Sequence, residues 1–108
     1  MLIIEENSAL KKFFRANSQY VALIRQNLAE YLPVLLTEKP YKIKTVAGYR
    51  YQGQTIFEYK IPLDKNTDCR VAYIKQNEDI RVFFISNTVV KKEFTKLLAK
   101  IAGVSASR

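Results

Sequence analysis

The chain has 108 residues, of which 48% are hydrophobic and 26% charged, values typical of one globular domain with its own core. It contains one cysteine and no histidine, which excludes an internal disulfide, a histidine-based catalytic triad and nearly every zinc site. Its net charge is +8, and residues 41–108 hold thirteen basic and six acidic residues. A positive field of this kind favours RNA, DNA or an acidic protein segment as the partner, although it can also serve only to keep the surface soluble.

The amino-terminal segment and the apolar runs predict where the protein resides. Residues 1–6 contain no basic region and no long apolar stretch, so we expect no secretory signal peptide. The longest apolar runs have four or five residues, which is too short to span a membrane. Together with the single cysteine, these features predict a protein of the reducing cytoplasm with no membrane contact.

The first third of the chain predicts a short strand followed by a helical hairpin. Leu2–Ile4 is an apolar run of strand length, and Asn7 or Ser8 can cap a first helix. Ser18 can cap a second helix, in which apolar residues recur every three or four positions. Pro33 is expected to kink or end this second helix, because proline lacks a backbone donor and restricts the residue before it.

The rest of the chain predicts a sheet and a final helix. Strand-like patterns cover residues 41–51, 55–63, 69–75 and 80–86. A helix with Val90, Phe94 and Leu97 on its buried side follows, and Gly103 suits its end. We therefore predict one α+β domain over residues 1–108: a short N-terminal strand, a helical hairpin, an antiparallel sheet of three or four strands, a C-terminal helix, and a disordered tail over residues 104–108.

Three segments of the second half follow one another in a distinctive series. Residues Tyr59–Leu63 form a strand with a basic residue, Cys69–Tyr73 contains Arg-x-x-Tyr after a short loop, and Ile80–Ser86 is an apolar strand after a polar hairpin. This series resembles the RelE/ParE superfamily, the bacterial toxins of type II toxin–antitoxin systems. The order of elements along nearly the whole chain is similar too, so the resemblance implies a single toxin domain.

In the ribonuclease branch, this resemblance implies cleavage of messenger RNA, in the relatives of RelE within the decoding site of the ribosome. The ribose 2′-hydroxyl attacks the adjacent phosphorus, which requires a base, an acid and cations around the developing charge. Lys and Arg side chains can supply that charge, so no metal or other cofactor is expected. The resemblance also implies an acidic antitoxin, which would place a helix or strand across the basic surface.

The resemblance assigns roles to individual basic residues. Arg70 matches the arginine that holds a phosphate oxygen, although it can equally pair with Asp68 or Glu58. Lys60 matches a residue that stabilises charge or, in its neutral form, accepts a proton, and its alternative is an ordinary solvated lysine. The expected catalytic residues are Lys60, Arg70 and Lys92, and the expected nucleic-acid-binding residues are Lys65, Arg81, Lys91 and Lys96.

The chain also departs from the family pattern. Pro62 stands where a second strand cation is usual, Cys69 replaces an aromatic residue, and no tyrosine lies near Lys96. Lys65 would have to reach back to replace the missing cation. These departures leave two alternatives to a nuclease: a non-enzymatic toxin of the ParE type that blocks DNA gyrase, or a module that binds nucleic acid without cutting it, with aromatic residues stacking on bases.

Overall fold

Six strands form one sheet in the computed structural model, which describes residues 1–107. The strands are β1 (Leu2–Ile4), β2 (Lys44–Tyr51), β3 (Gln54–Pro62), β4 (Asp68–Gln76), β5 (Asp79–Ser86) and β6 (Val104–Ala106). Their order across the sheet is β1-β5-β4-β3-β2-β6, with β1 parallel to β5 and every other neighbouring pair antiparallel. The predicted α+β class is confirmed, and β1 and β6 extend the sheet beyond the strands of the central antiparallel meander.

The helices precede and follow the central meander of strands. They are α1 (Ser8–Ala16), α2 (Val21–Gln26), α3 (Leu32–Glu38) and α4 (Lys91–Leu98), with 3₁₀ turns at Ser18–Tyr20 and Pro40–Lys42. A π turn over Asn27–Tyr31 joins α2 to α3. Of the predicted kink or end near Pro33, the end is wrong, because the π turn runs directly into α3 and Pro33 lies in its first turn. The side chain of Asn7 caps α1 by accepting from the N–H of Leu10 at 2.9 Å.

Each side of the sheet is covered by different helices. Alternation along β3 turns Phe57, Tyr59 and Ile61 toward the hairpin α1–α3, whereas Ile56 turns toward α4. The core under the hairpin includes Leu10, Ile24, Leu28, Leu32, Leu35, Tyr59, Ile61, Val71 and Tyr73. The core under α4 includes Val46, Tyr51, Ile56, Ala72, Ile74, Phe83, Phe84, Phe94 and Leu98. We call this second side of the sheet the α4 face.

Residues 104–107 are ordered, in contrast to the disorder predicted for residues 104–108. Val104–Ala106 forms β6 and pairs with Tyr49–Tyr51 of β2, and Ser107 donates a backbone hydrogen bond to Gly48 at 2.9 Å. Arg108 lies outside the described residues. A three-residue strand shows no recognisable alternation in the sequence, and it forms because the outer edge of β2 offers free backbone donors and acceptors.

No helix within residues 1–107 is long and apolar enough to cross a membrane.

Candidate functional site

Lys60 and Arg70 lie directly opposite one another on neighbouring strands of the α4 face. Lys60 of β3 pairs with Arg70 of β4, and Arg70 pairs in turn with Ser86 of β5. Side chains at paired positions point to the same face, about 4.5–5.5 Å apart at their Cβ atoms. Lys60 is exposed. The two residues that the sequence singles out most strongly are therefore neighbours.

Contacts on three sides hold the Arg70 guanidinium in one orientation. Its Nη1 group pairs with Oε1 of Glu58, its Nε donates to the carbonyl oxygen of Val89 at 3.1 Å, and its Cζ lies 6.0 Å from the ring centre of Phe94. The Nη2 group makes no hydrogen bond within residues 1–107. The side chain is 16% exposed, so part of it remains in contact with solvent.

Glu58 also belongs to the site. The sequence analysis names it only as one of two alternative ion-pair partners of Arg70. Its side chain is fully buried, and its Oε2 atom has no hydrogen-bond partner within the described residues. The alternation of β3 places Glu58 on the same side as Lys60, but only the structure shows that Glu58 is buried and Lys60 exposed. The carboxylate is thus a positioning group for Arg70 and does not reach the solvent.

A further cation completes the group around Glu58. Lys44 of β2 is paired with Glu58 of β3, so their side chains share the α4 face, and Lys44 is exposed. The sequence offered no signal for this lysine, because its role depends on the register of β2 against β3. Lys44, Lys60 and Arg70 form three cations around one carboxylate, and we call these four residues the cationic cluster.

The lysines of α4 divide between two sides of the helix. Phe94 and Leu98 pack on the sheet, and the helical period places Lys92 and Lys96 on the opposite, solvent side. Lys96 also pairs with Glu93 at 3.6 Å. Lys91 lies one turn before Phe94 and two residues after Val89, whose carbonyl oxygen accepts from Arg70. The structure therefore brings Lys91 toward the cationic cluster and turns Lys92 and Lys96 away from it.

Arg81 and Lys65 lie at opposite ends of the central strands. Arg81 pairs with Ile74, four residues along β4 from Arg70, a separation of about 13 Å at roughly 3.3 Å per residue. Its guanidinium is 3.6 Å from a carboxylate oxygen of Glu5 and donates to Gln76 at 3.2 Å. Lys65 is exposed in the loop between β3 and β4, beyond the end of their ladder. Neither residue lies beside the cationic cluster.

Cys69 is not an available nucleophile. Its side chain is fully buried next to Arg70 in the chain, and burial raises the pKa of the thiol to about 12. Within residues 1–107, no three Cys, Asp or Glu side chains come close enough together to hold a metal ion. The chemistry that the cationic cluster itself can perform is the binding of an anion and the stabilisation of negative charge.

Comparison with known proteins identifies no relative of this chain: no family model, no curated protein and no solved structure matches it.

Proposed function

We propose that the chain is a toxin of a toxin–antitoxin pair that cleaves messenger RNA on the ribosome, in the cytoplasm, without a metal ion. The observation that carries this proposal is the pairing of Lys60 with Arg70 on an exposed patch of the α4 face. The immobilised guanidinium and two flanking ammonium groups suit a phosphodiester better than a neutral ligand. The resemblance of the second half to RelE/ParE toxins agrees with this chemistry.

The proposed reaction is a transesterification within the RNA. The ribose 2′-oxygen forms a bond to phosphorus while the bond from phosphorus to the 5′-oxygen breaks, leaving a 2′,3′-cyclic phosphate and a 5′-hydroxyl. The proton of the 2′-hydroxyl passes to water, and Lys60, Arg70 and Lys44 stabilise the charge on the 2′-oxygen and the non-bridging oxygens. Lys91, at the start of α4, supplies the proton to the 5′-oxygen.

A cleavage assay with matched lysine variants tests this proposal. Purified ribosomes programmed with a short message, and the same message alone, are incubated with the protein, and the RNA ends are mapped. Lys60→Ala should lower the cleavage rate by roughly 10²–10³-fold, the usual cost of one preorganised group. Lys39→Ala removes an exposed lysine at the end of α3, on the hairpin side, and should leave the rate unchanged.

Arg70 needs a different substitution in the same assay. Arg70→Lys keeps a positive charge beside Glu58 but removes the planar fork, so it should slow cleavage while the fold survives.

Induced expression in a bacterium tests the proposal in the cell, where growth arrest with degraded messenger RNA is expected. Growth arrest with intact message would overturn the nuclease proposal, and a DNA supercoiling assay would then test inhibition of gyrase.

A second candidate is a domain that binds RNA without cutting it. The observation that favours it is the buried Glu58, which neutralises part of the Arg70 charge that a transition state would need. In that case, Lys44→Ala and Lys60→Ala should each reduce the slope of log affinity against log salt for single-stranded RNA by about 0.7. Both variants would bind RNA more weakly than the wild-type protein, and neither they nor the wild-type protein would cleave it.

The same cationic cluster is the surface that we propose for the antitoxin. An acidic helix or strand lying over Lys44 and Lys60 would neutralise the charges that RNA would otherwise meet. The gene next to that of the chain should then encode a small protein with an acidic segment. Co-expression should relieve toxicity, and the charge reversal Lys44→Glu should weaken the complex at least tenfold while Lys39→Glu does not.

A further inference from the structure

A pocket of about 520 Å³ lies at the free end of β3, on the edge of the sheet next to the helical hairpin. It forms because β2 begins opposite Glu58, so Lys60–Pro62 has a neighbouring strand on only one side. The π turn Asn27–Tyr31 borders the same opening, and Leu35 and Pro62 supply apolar walls. The volume lies within the range of small-molecule sites in proteins.

Two tyrosines and the amide of Asn27 give this pocket an oriented hydrogen-bond donor and an aromatic surface. The buried Tyr59 donates its hydroxyl hydrogen to Oδ1 of Asn27 at 2.8 Å, which fixes the orientation of the amide. The Nδ2 group of Asn27 makes no hydrogen bond within residues 1–107, so its two hydrogens remain free for a ligand. Tyr31 is 39% exposed and contributes a ring surface to the wall.

The charged residues of the pocket are all positive. Lys42 and Lys60 are exposed at its border, and no acidic side chain lines it. The larger cavity of about 730 Å³, between β1 and the hairpin, differs in this respect because Glu5 and Glu6 line it together with basic residues. An anionic group would meet no carboxylate in the smaller pocket, whereas it would meet two in the larger one.

We infer that this pocket binds a nucleotide unit, a nucleobase with its adjacent phosphate. The base stacks on Tyr31 against the apolar wall, an acceptor on the base receives a hydrogen bond from Nδ2 of Asn27, and the phosphate lies between Lys42 and Lys60. The nucleotide can be free or part of a single-stranded RNA. This inference goes beyond the proposed function, since a base can bind here whether or not the chain cuts RNA.

Titration of the full chain with nucleotide probes, followed by amide NMR shifts, tests the inference. Uridine 5′-monophosphate should saturate the amide shifts of the π turn and of residues 59–61, and ribose 5-phosphate should bind at least tenfold more weakly. A tri-uridylate that binds more tightly through the same residues identifies RNA as the source. If tri-uridylate and uridine 5′-monophosphate bind with equal affinity, the ligand is the free nucleotide. Equal affinity for ribose 5-phosphate, or shifts confined to the α4 face, would overturn the inference.

Matched variants separate a pocket from general attraction to a basic surface. Tyr31→Ala should weaken binding of uridine 5′-monophosphate roughly tenfold, in line with the loss of one stacking surface. Tyr41→Ala, which removes a 64% exposed tyrosine that does not line the pocket, should leave affinity unchanged. Lys42→Ala should weaken the binding of uridine 5′-monophosphate but not that of uridine, which has no phosphate. Wild-type affinity in Tyr31→Ala, with the fold checked by circular dichroism, would also contradict the inference.

Discussion

The ion pair between Arg70 and Glu58 decides how each of its members can act. The Glu58 carboxylate is fully buried, with Oε2 unpaired within the described residues, whereas the Arg70 side chain keeps 16% of its surface in contact with solvent. A buried charge without its partner is costly, and a charge that reaches water is much less so. Removal of the arginine is therefore the more damaging of the two single changes.

A double-mutant cycle on this pair gives a clear expectation. Arg70→Met leaves the Glu58 carboxylate buried alone and should lower the free energy of unfolding by about 3–5 kcal/mol. Glu58→Met should cost less, because Arg70 can turn toward solvent. The double variant should recover to within about 1 kcal/mol of the wild-type protein, since an apolar pair of similar volume fills the site. Urea unfolding measures all four proteins, and simple additivity of the two losses would contradict this account.

The sequence predicts part of this site, and geometry decides the rest. A strand with Glu58 and Lys60 on one side and a strand with Arg70 near its start can be identified from alternation alone. Their pairing depends on the length and conformation of the loop between β3 and β4, which closes through a bond from Leu63 N–H to Thr67 at 2.8 Å. That loop has no pattern from which the register could be predicted.

At the scale of elements, the segment after β5 differs most from the structure that its sequence pattern predicts. Phe94 is buried as predicted, but Val90 and Leu97, expected on the same stripe, are 62% and 39% exposed. Val90 has extended backbone angles and precedes the helix, so the helical period does not apply to it. The side chain of Asn87, shortly before the helix, donates to the carbonyl oxygen of Asp68 at 3.1 Å and does not cap α4. Tertiary contacts thus shift the start of α4 to Lys91.

The return of the chain from α4 into β6 depends on Gly103. Its φ of +95° belongs to the left-handed region, and an added Cβ would lie 2.8 Å from Cε1 of Tyr51. The Tyr51 ring cannot easily move aside, because it stacks on Phe83 at 3.9 Å and its hydroxyl donates to Glu5 at 2.7 Å. Two separate penalties therefore meet at this glycine, backbone strain and overlap with a fixed ring.

Substitution of two glycines by alanine separates these penalties. Gly48 also has a positive φ, +86°, but an added Cβ would meet nothing within 4 Å. Gly48→Ala should therefore cost roughly 1–2 kcal/mol from backbone strain alone. Gly103→Ala should cost about 1–3 kcal/mol more, the usual penalty of overpacking. Thermal unfolding of both variants measures the difference, and equal losses would show that the Tyr51 ring gives way.

At the scale of the whole molecule, the sheet separates two cores that each contain buried tyrosine. Tyr59 and Tyr73 lie under the hairpin, and Tyr51 lies under α4. The abundance of aromatic and apolar residues in the second half predicts a buried sheet, and it is consistent with the observed layers. The pattern does not show which hydroxyls find partners: Tyr51 and Tyr59 do, whereas the Tyr73 hydroxyl has none within the described residues.

These tyrosines predict that the fold weakens in alkali. Burial raises the pKa of Tyr51 and of Tyr73 to about 12, and it raises that of Tyr59 as well. A raised pKa in the folded state means that the neutral hydroxyl favours folding. This contribution is complete below the unfolded value of about 10 and is lost as pH rises toward about 12. Urea unfolding at a series of pH values should show stability falling steeply across this interval.

Tyr73→Phe tests the origin of that loss, because it removes a hydroxyl that is buried without a partner. At neutral pH the variant should be more stable by about 1–3 kcal/mol, since no unsatisfied hydroxyl has to be buried. In alkali it should lose less stability than the wild-type protein, because one of the buried groups that ionises is gone. Tyr41→Phe, at a position that is 64% exposed, is the control and should change neither quantity. An identical alkaline decline in Tyr73→Phe and the wild type would mean that ionisation of Tyr73 does not contribute to the loss of stability.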